Sequence, residues 1–237
     1  MAATKQTVAK PDPAPKNVPP KTEAKAEAKT EAKKKVSRSY ETNETPNFIL
    51  YISKLLNRIT NDVSMQNKTR YEIQSLVRHI IDLYSTACKL LLTKQTLTAD
   101  EITAATQLVM PNDLSREVVS FVNLTLEKYN NNKDSKSTRE DRADLTFRIP
   151  RCTKALRNMG FKRVGEASSI ALAAVLECVF RRVLEGAARC AQESKKARIS
   201  PRHLMVTIRS DMSLNTLFNS VVLSGGVMPS IHEALLK

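Results

Sequence analysis

The stretch KKARISPRHLMVTIRSD, residues 195–211, contains the clearest helix start in the sequence. Its first four residues are a basic loop. Ser200 followed by Pro201 then predicts a helix start, because Ser caps a helix N-terminus and Pro fits the first turn. A matching start, LTADEI, lies 102 residues earlier, and there Thr98 and Glu101 predict a capping box. The chain therefore contains an internal repeat.

Each copy of the repeat has the order short helix, loop, long helix, loop, short helix. Apolar residues recur at helical spacing in the first short helix and in both long helices, which is the pattern of amphipathic helices. One more amphipathic helix is predicted after the first copy. The predicted helices cover 48–59, 69–94, 98–108, 113–129, 149–159, 167–194 and 200–209.

The middle of each long helix needs a partner. A helix of this length extends about 40 Å, and a short helix at each end cannot cover its centre. The central apolar stripe (Ile80 and Tyr84 in one copy, Val179 and Val183 in the other) is therefore predicted to be buried against the other copy. This gives an all-α fold with the two long helices crossing antiparallel. An ordinary bundle of long helices is the competing arrangement.

Composition divides the chain into five segments. The first is low in large apolar residues and is predicted to be a disordered basic tail, since it cannot offset the entropy of ordering. Within it, 33–38 is either a nuclear import signal or part of a solubilising tail. The predicted segments are a tail 1–45, a folded unit 46–129, a polar linker 130–144, a second folded unit 145–219 and a C-terminal segment 220–237.

The positive charge is large and uneven. The 237 residues carry a formal net charge of +14. Residues 145–237 hold fifteen basic and six acidic residues, whereas 47–129 hold nine and eight. An excess of this kind indicates an anionic partner, most often nucleic acid. A solvated charged face is the alternative, but such faces usually mix the two signs.

Several classes of protein are disfavoured. The longest apolar stretch, 170–180, includes Glu177 and is far shorter than the about 20 residues of a membrane span. The first 30 residues have no apolar run, so no secretory signal is expected. The four cysteines show no C-x-x-C spacing, so we expect no zinc site, no disulfide framework and a reducing compartment.

We also expect no enzyme, cofactor or metal, because no catalytic constellation stands out. His79 and His232 are far from each other and from His203 in the sequence, and His203 is predicted to pack at its helix start.

Two parts of the chain resemble core histones. Residues 46–129 resemble histone type two-B through ILYISKLLNRI, LTADEITAATQLVMPNDLS and LEKY. Residues 145–237 resemble type two-A through LTFRIPR, RVG, ALAAVLE, KKARISPRHLMVTIRSD and SGGVMPSIHEALL. Two types joined in one chain resemble the histone doublets of giant DNA viruses of the Marseillevirus kind. An artificial fusion is the alternative. Residues 3–7 are similar to the start of histone three, by coincidence or mimicry.

The resemblance implies two histone folds that form an intramolecular handshake pseudo-heterodimer. Such a chain would wrap double-stranded viral DNA without sequence specificity in a nucleosome-like particle with two copies of each histone. Its partner would be of the histone three–four type, carried on a second doublet, and its location the virion and the host nucleus or viral factory. A sequence-specific transcription factor subunit and a protein scaffold without DNA contact are the alternatives.

The resemblance also implies where DNA binds: at the two places where loops of the two folds meet, and on the paired first helices. Arg163 and Arg198 are expected to enter the minor groove, reading its width and not base identity. The second loop of the first unit is shorter and less basic than the family pattern, so we expect its contact to be weaker. The other expected contacts are Arg151, Lys154, Arg157, Lys195 and Lys196 in the second unit and Lys68, Arg70, Lys94 and Thr96 in the first.

Two further surfaces follow from the resemblance. Asp113, Glu177, Glu185 and Asp211 match an acidic patch that the family uses to bind proteins, but Phe121, Arg182, Met212 and Ser213 replace its other acids. Arg181 is expected to pair with Glu177 and Arg182 with Glu185, leaving the patch nearly neutral. The C-terminal segment resembles the part that docks on the histone three–four tetramer, although a mobile tail is the alternative. Its turn and apolar residues would be Gly225, Gly226, Val227, Met228 and Ile231.

Overall fold

The computed structural model describes residues 46–92, 94–132 and 137–226. The predicted tail 1–45, with its import signal and its histone-three-like start, lies outside the described residues. So do three of the predicted docking residues, Val227, Met228 and Ile231.

The described part of the chain contains nine helices, and every predicted helix is among them. Their ends differ from the predicted ones by three residues or fewer. The helices are α1 (Ile49–Ile59), α2 (Asn67–Leu91), α3 (Ala99–Val109), α4 (Asn112–Asn131), α5 (Arg139–Ala143), α6 (Ile149–Asn158), α7 (Glu166–Glu193), α8 (Pro201–Ser210) and α9 (Met212–Leu217).

Two short helices, α5 and α9, were not predicted. The segment 130–144 was expected to be unpatterned, but Thr138 caps α5 by accepting a hydrogen bond from the Asp141 amide. Asp211 caps α9 by accepting from the Ser213 and Leu214 amides at 3.0 and 3.3 Å. Helices of five and six residues are too short to show a hydrophobic period, so the capping side chains were the available signal.

The all-α prediction also missed four strands of two residues each. Strand β1 (Ser64–Met65) pairs in parallel with β4 (Arg198–Ile199), and β2 (Thr96–Leu97) pairs in parallel with β3 (Arg163–Val164). Each pair joins the first loop of one copy of the repeat to the second loop of the other. The expectation that loops of the two copies meet is therefore confirmed, through backbone pairing that the sequence did not predict.

Helix α7 is the centre of the core. It packs against α1, α3 and α4 from the first copy and against α6 and α8 from the second. The central residues Ile80, Tyr84, Val179 and Val183 are completely buried, as predicted. The buried apolar side chains of both copies form one continuous cluster, so neither copy has a core of its own.

The buried Tyr84 links α2 to its neighbours. Burial raises the pKa of Tyr84, and the nearby thiol of Cys178 on α7 adds to this effect. The Tyr84 hydroxyl donates a hydrogen bond to Thr106 Oγ1 at 2.8 Å, so its one polar atom is satisfied in the core. This hydrogen bond joins the middle of α2 to α3 within the core.

The two predicted helix starts are confirmed. Thr98 and Glu101 form the capping box of α3. At α8, Ser200 forms a capping box with His203 in place of the usual Glu or Gln, and the Ser200 amide donates to His203 Nδ1 at 3.3 Å. The buried imidazole of His203 thus has a structural role, as its position at the helix start indicated.

Gly186 marks a close approach of α7 to α8, and its substitution tests this packing. A Cβ at this position would lie 2.3 Å from Cγ2 of Thr207. Ala favours a helix interior over Gly by roughly 0.5–1 kcal/mol, whereas overpacking costs typically about 1–3 kcal/mol. We expect Gly186→Ala to lower the free energy of unfolding, measured in urea. In a Thr207→Ser background, which removes Cγ2, the substitution should cost much less. Equal losses in both backgrounds would contradict the close approach.

Candidate nucleic-acid interface

The pairing of β1 with β4 builds the first basic surface, here called the Arg198 end: Lys68, Lys195, Lys196 and Arg198. Ser64 lies opposite Arg198 in the pair. The Gln66 amide donates to the Ile199 carbonyl at 3.1 Å, and Thr69 Oγ1 donates to the same carbonyl at 3.1 Å. The start of α2 is thereby fixed against β4. All four cationic side chains of the Arg198 end are exposed.

The turn that carries these cations has a strained residue. Lys195 adopts a left-handed conformation, with φ of 53°, at the end of α7. The Lys196 amide then donates to the Ala191 carbonyl at 2.8 Å, which closes the helix end and turns the chain into β4. Arg70, which was also expected to contact DNA here, is only partly exposed, and its Nε forms no hydrogen bond.

The pairing of β2 with β3 builds a second basic surface, here called the Arg163 end: Lys94, Thr96, Lys162 and Arg163. The Gly165 amide donates to the Leu97 carbonyl at 3.0 Å, and a Cβ on Gly165 would lie 2.9 Å from the same oxygen. The backbone can therefore approach this closely only at a glycine. Lys94, Lys162 and Arg163 are exposed, and Thr96 is partly buried.

Lys162 and Lys54 are exposed cations that were not among the expected DNA contacts. Lys162 directly precedes Arg163, so its place in the same loop was the available signal. Lys54 lies on α1 and was overlooked because the first unit has almost no net charge.

The first helices, α1 and α6, begin side by side. The ring of Phe147 lies 5.8 Å from that of Phe48 and 6.4 Å from that of Tyr51. Arg151 is engaged within the protein: its Nη1 donates to the Asn47 carbonyl at 2.6 Å, and its guanidinium lies 5.3 Å from the Tyr51 ring centre. Of the three basic residues predicted on this helix, Lys154 and Arg157 are exposed, whereas Arg151 joins α6 to α1.

Two of the four residues that match the acidic patch, Glu177 and Asp211, are paired with arginines. Arg181 Nη2 lies 3.4 Å from Glu177 Oε1, as predicted. The predicted pairing of Arg182 with Glu185 is wrong, because Arg182 lies between two other acids. Its Nε contacts Asp211 at 2.7 Å and its Nη1 contacts Glu117 at 2.8 Å. Glu117 lies on α4 and Asp211 lies between α8 and α9, so the helical spacing of α7 did not indicate either contact.

Glu177 has a structural role. It is completely buried and accepts hydrogen bonds from the amides of Thr146 and Phe147 at 2.6 and 3.3 Å. Arg58 lies 3.9 Å from the same carboxylate. Glu177 therefore anchors the chain that enters α6, and its carboxylate is not accessible to a partner. Asp113 and Glu185 remain exposed.

Among the described residues, no helix is long and apolar enough to cross a membrane. The same residues contain no cluster of three side chains suited to hold a metal ion.

Known proteins share this sequence pattern. The family model of the core histone H2A/H2B/H3/H4 domain matches residues 125–210, and that of the C-terminus of histone H2A matches 214–237. Histone H2A.2 of Lodderomyces elongisporus is 43% identical over 102 residues, which is 42% of this chain and 79% of that protein. Histone H2A.1 of Meyerozyma guilliermondii is 39% identical over 111 residues, or 46% and 85%. The chain belongs to the core histone family.

The resemblance to type two-A histones is thus confirmed, and the core histone family is non-enzymatic in general. The matched ranges begin at residue 125, so α1 to α3 of this histone lie outside them. The type two-B resemblance of 46–129 stays a prediction.

The start of the C-terminal segment is tied to α8 of the histone. Gly226 has a φ of +84°, which confirms the expected turn. A Cβ on Gly225 would lie 2.5 Å from Met205 Cβ and 2.8 Å from the Pro201 carbonyl. Arg202 Nη1 donates to the Gly225 carbonyl at 3.1 Å. The two glycines therefore seat the chain closely on α8 before it reaches the predicted apolar docking residues.

Acid titration tests the contact between Arg182 and Asp211. Partial burial opposes ionisation of Asp211, but hydrogen bonds from Arg182 and from the Ser213 and Leu214 amides hold its pKa below the usual 3.8. Its contribution to stability is therefore present above that value and is lost as the pH falls through the folded-state pKa. We expect Asp211→Asn to lose less stability than the unmodified chain on acidification, measured by urea unfolding. Asp100→Asn, at an exposed position, is the control. Parallel curves for all three proteins would contradict the assignment.

The neutralised patch should bind basic peptides weakly. Arg182 already occupies the carboxylates of Glu117 and Asp211. We expect an arginine-containing peptide to show no saturable binding at micromolar concentration by calorimetry. Arg182→Ala should strengthen binding because it frees both acids. Arg116→Ala makes the same change in charge at an exposed position of α4 and should not strengthen binding. A micromolar complex with the unmodified chain would contradict this expectation.

Proposed function

We propose that this chain is a histone doublet, in which two histone folds on one chain pair as a handshake pseudo-heterodimer. The first fold, 46–129, is of type two-B and the second, 145–219, of type two-A, with 220–237 as the docking segment. Support for the pairing comes from the repeated element order, the shared core around α7 and the reciprocal pairing of loop strands. Fusion would fix a one-to-one ratio of the halves and raise their effective concentration.

The doublet packages double-stranded DNA by wrapping it without sequence specificity. The observation that carries this proposal is the pairing of loop strands, which holds exposed Arg198 and Arg163 on two separate basic surfaces. Arginines placed at inward-facing minor grooves, together with phosphate contacts, are sufficient for wrapping and need no base-specific contacts. Phosphate contacts would come from Lys68, Lys94, Lys154, Arg157, Lys162, Lys195 and Lys196.

The two folds contribute unequally to this basic surface. At the Arg198 end, the second fold contributes three exposed cations to the one from the first fold, Lys68. At the Arg163 end, Lys94 is the exposed cation assigned to the first fold, and Thr96 is partly buried. The type two-B side therefore contributes less to each contact, in keeping with the uneven charge of the chain.

The doublet assembles with a histone three–four type partner carried on a second doublet, in a nucleosome-like particle with two copies of each histone. The DNA is viral, and the particle is located in the virion and in the host nucleus or viral factory as chromatin. This part of the proposal is supported by the union of two histone types in one chain and by the match of 214–237 to the H2A C-terminus.

Salt dependence tests the DNA contact. Affinity for a duplex of about 150 base pairs, near the length that a histone octamer wraps, should come mainly from released counterions. The logarithm of the association constant should fall by about 0.9 per neutralised phosphate against the logarithm of salt concentration. Competition by unrelated duplexes should be equal. Binding without salt dependence would exclude packaging, and a preference for one short sequence would favour a transcription factor subunit instead.

Charge reversal locates the contact. Arg163→Glu and Arg198→Glu should each weaken binding of the duplex and reduce the salt slope by about 1 or more. Arg116→Glu changes the charge equally on the exposed face of α4 and is the matched control. Equal binding by all four proteins would mean that the two basic ends do not face DNA, and would favour a scaffold. Protection of DNA from micrococcal nuclease in the reconstituted particle would then measure the wrapped length.

A further inference from the structure

One polar cluster joins the short helix α5 to α4 and to α7. We call this cluster the clasp, and it consists of Tyr129, Arg139, Arg142 and Glu166. Tyr129 lies in the last turns of α4, the two arginines belong to α5, and Glu166 is the first residue of α7. The clasp therefore joins the end of the first copy of the repeat, the linker and the start of the longest helix.

The hydrogen bonds of the clasp form a chain that leads from Arg142 through Tyr129 to Glu166. Arg142 Nη2 donates to the Tyr129 hydroxyl at 2.8 Å, and that hydroxyl donates to Glu166 Oε1 at 2.6 Å. Arg139 Nε contacts the same carboxylate oxygen at 3.1 Å. The Arg142 guanidinium also lies 4.5 Å from the centre of the Tyr129 ring. The single carboxylate of Glu166 is thus held by two different elements.

Glu166 is three residues from Arg163, and the backbone between them is fixed. Strand β3 pairs with β2, and the Gly165 amide donates to the Leu97 carbonyl. The loop that presents Arg163 is therefore held on one side by β2, and the helix that follows it is held on the other side by the clasp. Arg139 also offsets the negative charge of Glu166, which would otherwise repel phosphates near this end.

We propose that the clasp positions the Arg163 end for DNA. Helix α5, in the linker between the two folds, then contributes to DNA binding. This inference rests on the proposed function. Tyr129 and Arg139 act through Glu166 and the β3 loop and are positioning residues without contact to DNA.

The clasp contributes little to global stability. The Arg139 and Glu166 side chains are 56% and 48% exposed, and ion pairs of such exposure stabilise proteins weakly. Losing one contact should therefore change where Arg163 points more than whether the chain folds. This difference separates a positioning role from a general structural one.

A double-mutant cycle tests the proposal. Tyr129→Phe removes the hydroxyl that joins Arg142 to Glu166 and keeps the ring. We expect it to weaken binding of a duplex by about two- to fivefold, the range of one exposed polar contact, with little change in the unfolding midpoint. In an Arg163→Ala chain it should have no further effect, and in an Arg198→Ala chain its full effect should remain. Tyr71→Phe, at an exposed tyrosine outside the clasp, is the matched control.

Equal losses in the Arg163→Ala and Arg198→Ala backgrounds, or no loss in the unmodified chain, would overturn the proposal. Hydrogen exchange keeps this outcome separate from failure of the proposed function. Tyr129→Phe should speed exchange of the Gly165 amide at the Arg163 end and leave that of Gln66 at the Arg198 end unchanged. Unchanged exchange at Gly165 would refute the positioning role even if the chain did not bind DNA at all.

Discussion

Helix α7 has to be buried on several faces, and the other helices are arranged around it. This helix has 28 residues, and every residue from Ser168 to Phe180 is buried. A surface stripe alone would need one partner, but a helix buried on several faces must be enclosed. Since α6 and α8 cover only part of it, α1, α3 and α4 of the first copy must supply the remaining cover. Neither copy can complete its core without the other.

The basic surfaces follow from this enclosure. When the helices of the two copies surround α7, the loops at their ends come within backbone hydrogen-bonding distance and form the β1–β4 and β2–β3 pairs. Pairing satisfies backbone hydrogen-bonding groups, and it also fixes the backbone of the residues in the strands. Arg198 and Arg163 stand in these pairs. Their placement is therefore a consequence of core packing, although neither side chain takes part in the core.

Sequence patterns predicted what depends on local spacing and missed what depends on contacts between distant segments. The long helices, the capping box at Thr98 and the helix start at Ser200 were predicted because their signals lie within a few turns of helix. The partners of Arg182 could not be found in this way, since Asp211 and Glu117 come from other parts of the chain. The contact of Arg151 with the Asn47 carbonyl was not predicted for the same reason, because the two residues are 104 positions apart. The role of each candidate site residue toward DNA stays a prediction.

The net charge of the second copy overstates the positive charge that is available to a ligand. Many of its arginines are engaged within the protein, whereas several of its lysines are not. Several of its arginines are used within the protein: Arg181 and Arg182 pair with acids, while Arg151 and Arg209 donate to backbone carbonyls. A planar guanidinium with five donors suits such fixed contacts. Lys154, Lys162, Lys195 and Lys196 are exposed, and their side chains form no hydrogen bond or ion pair with other described residues. A flexible ammonium that keeps its hydration until it meets a phosphate suits a surface that binds DNA without reading its sequence. The arginines that remain exposed at the loop pairs, Arg163 and Arg198, stand on paired strands that fix their direction, as a groove contact requires.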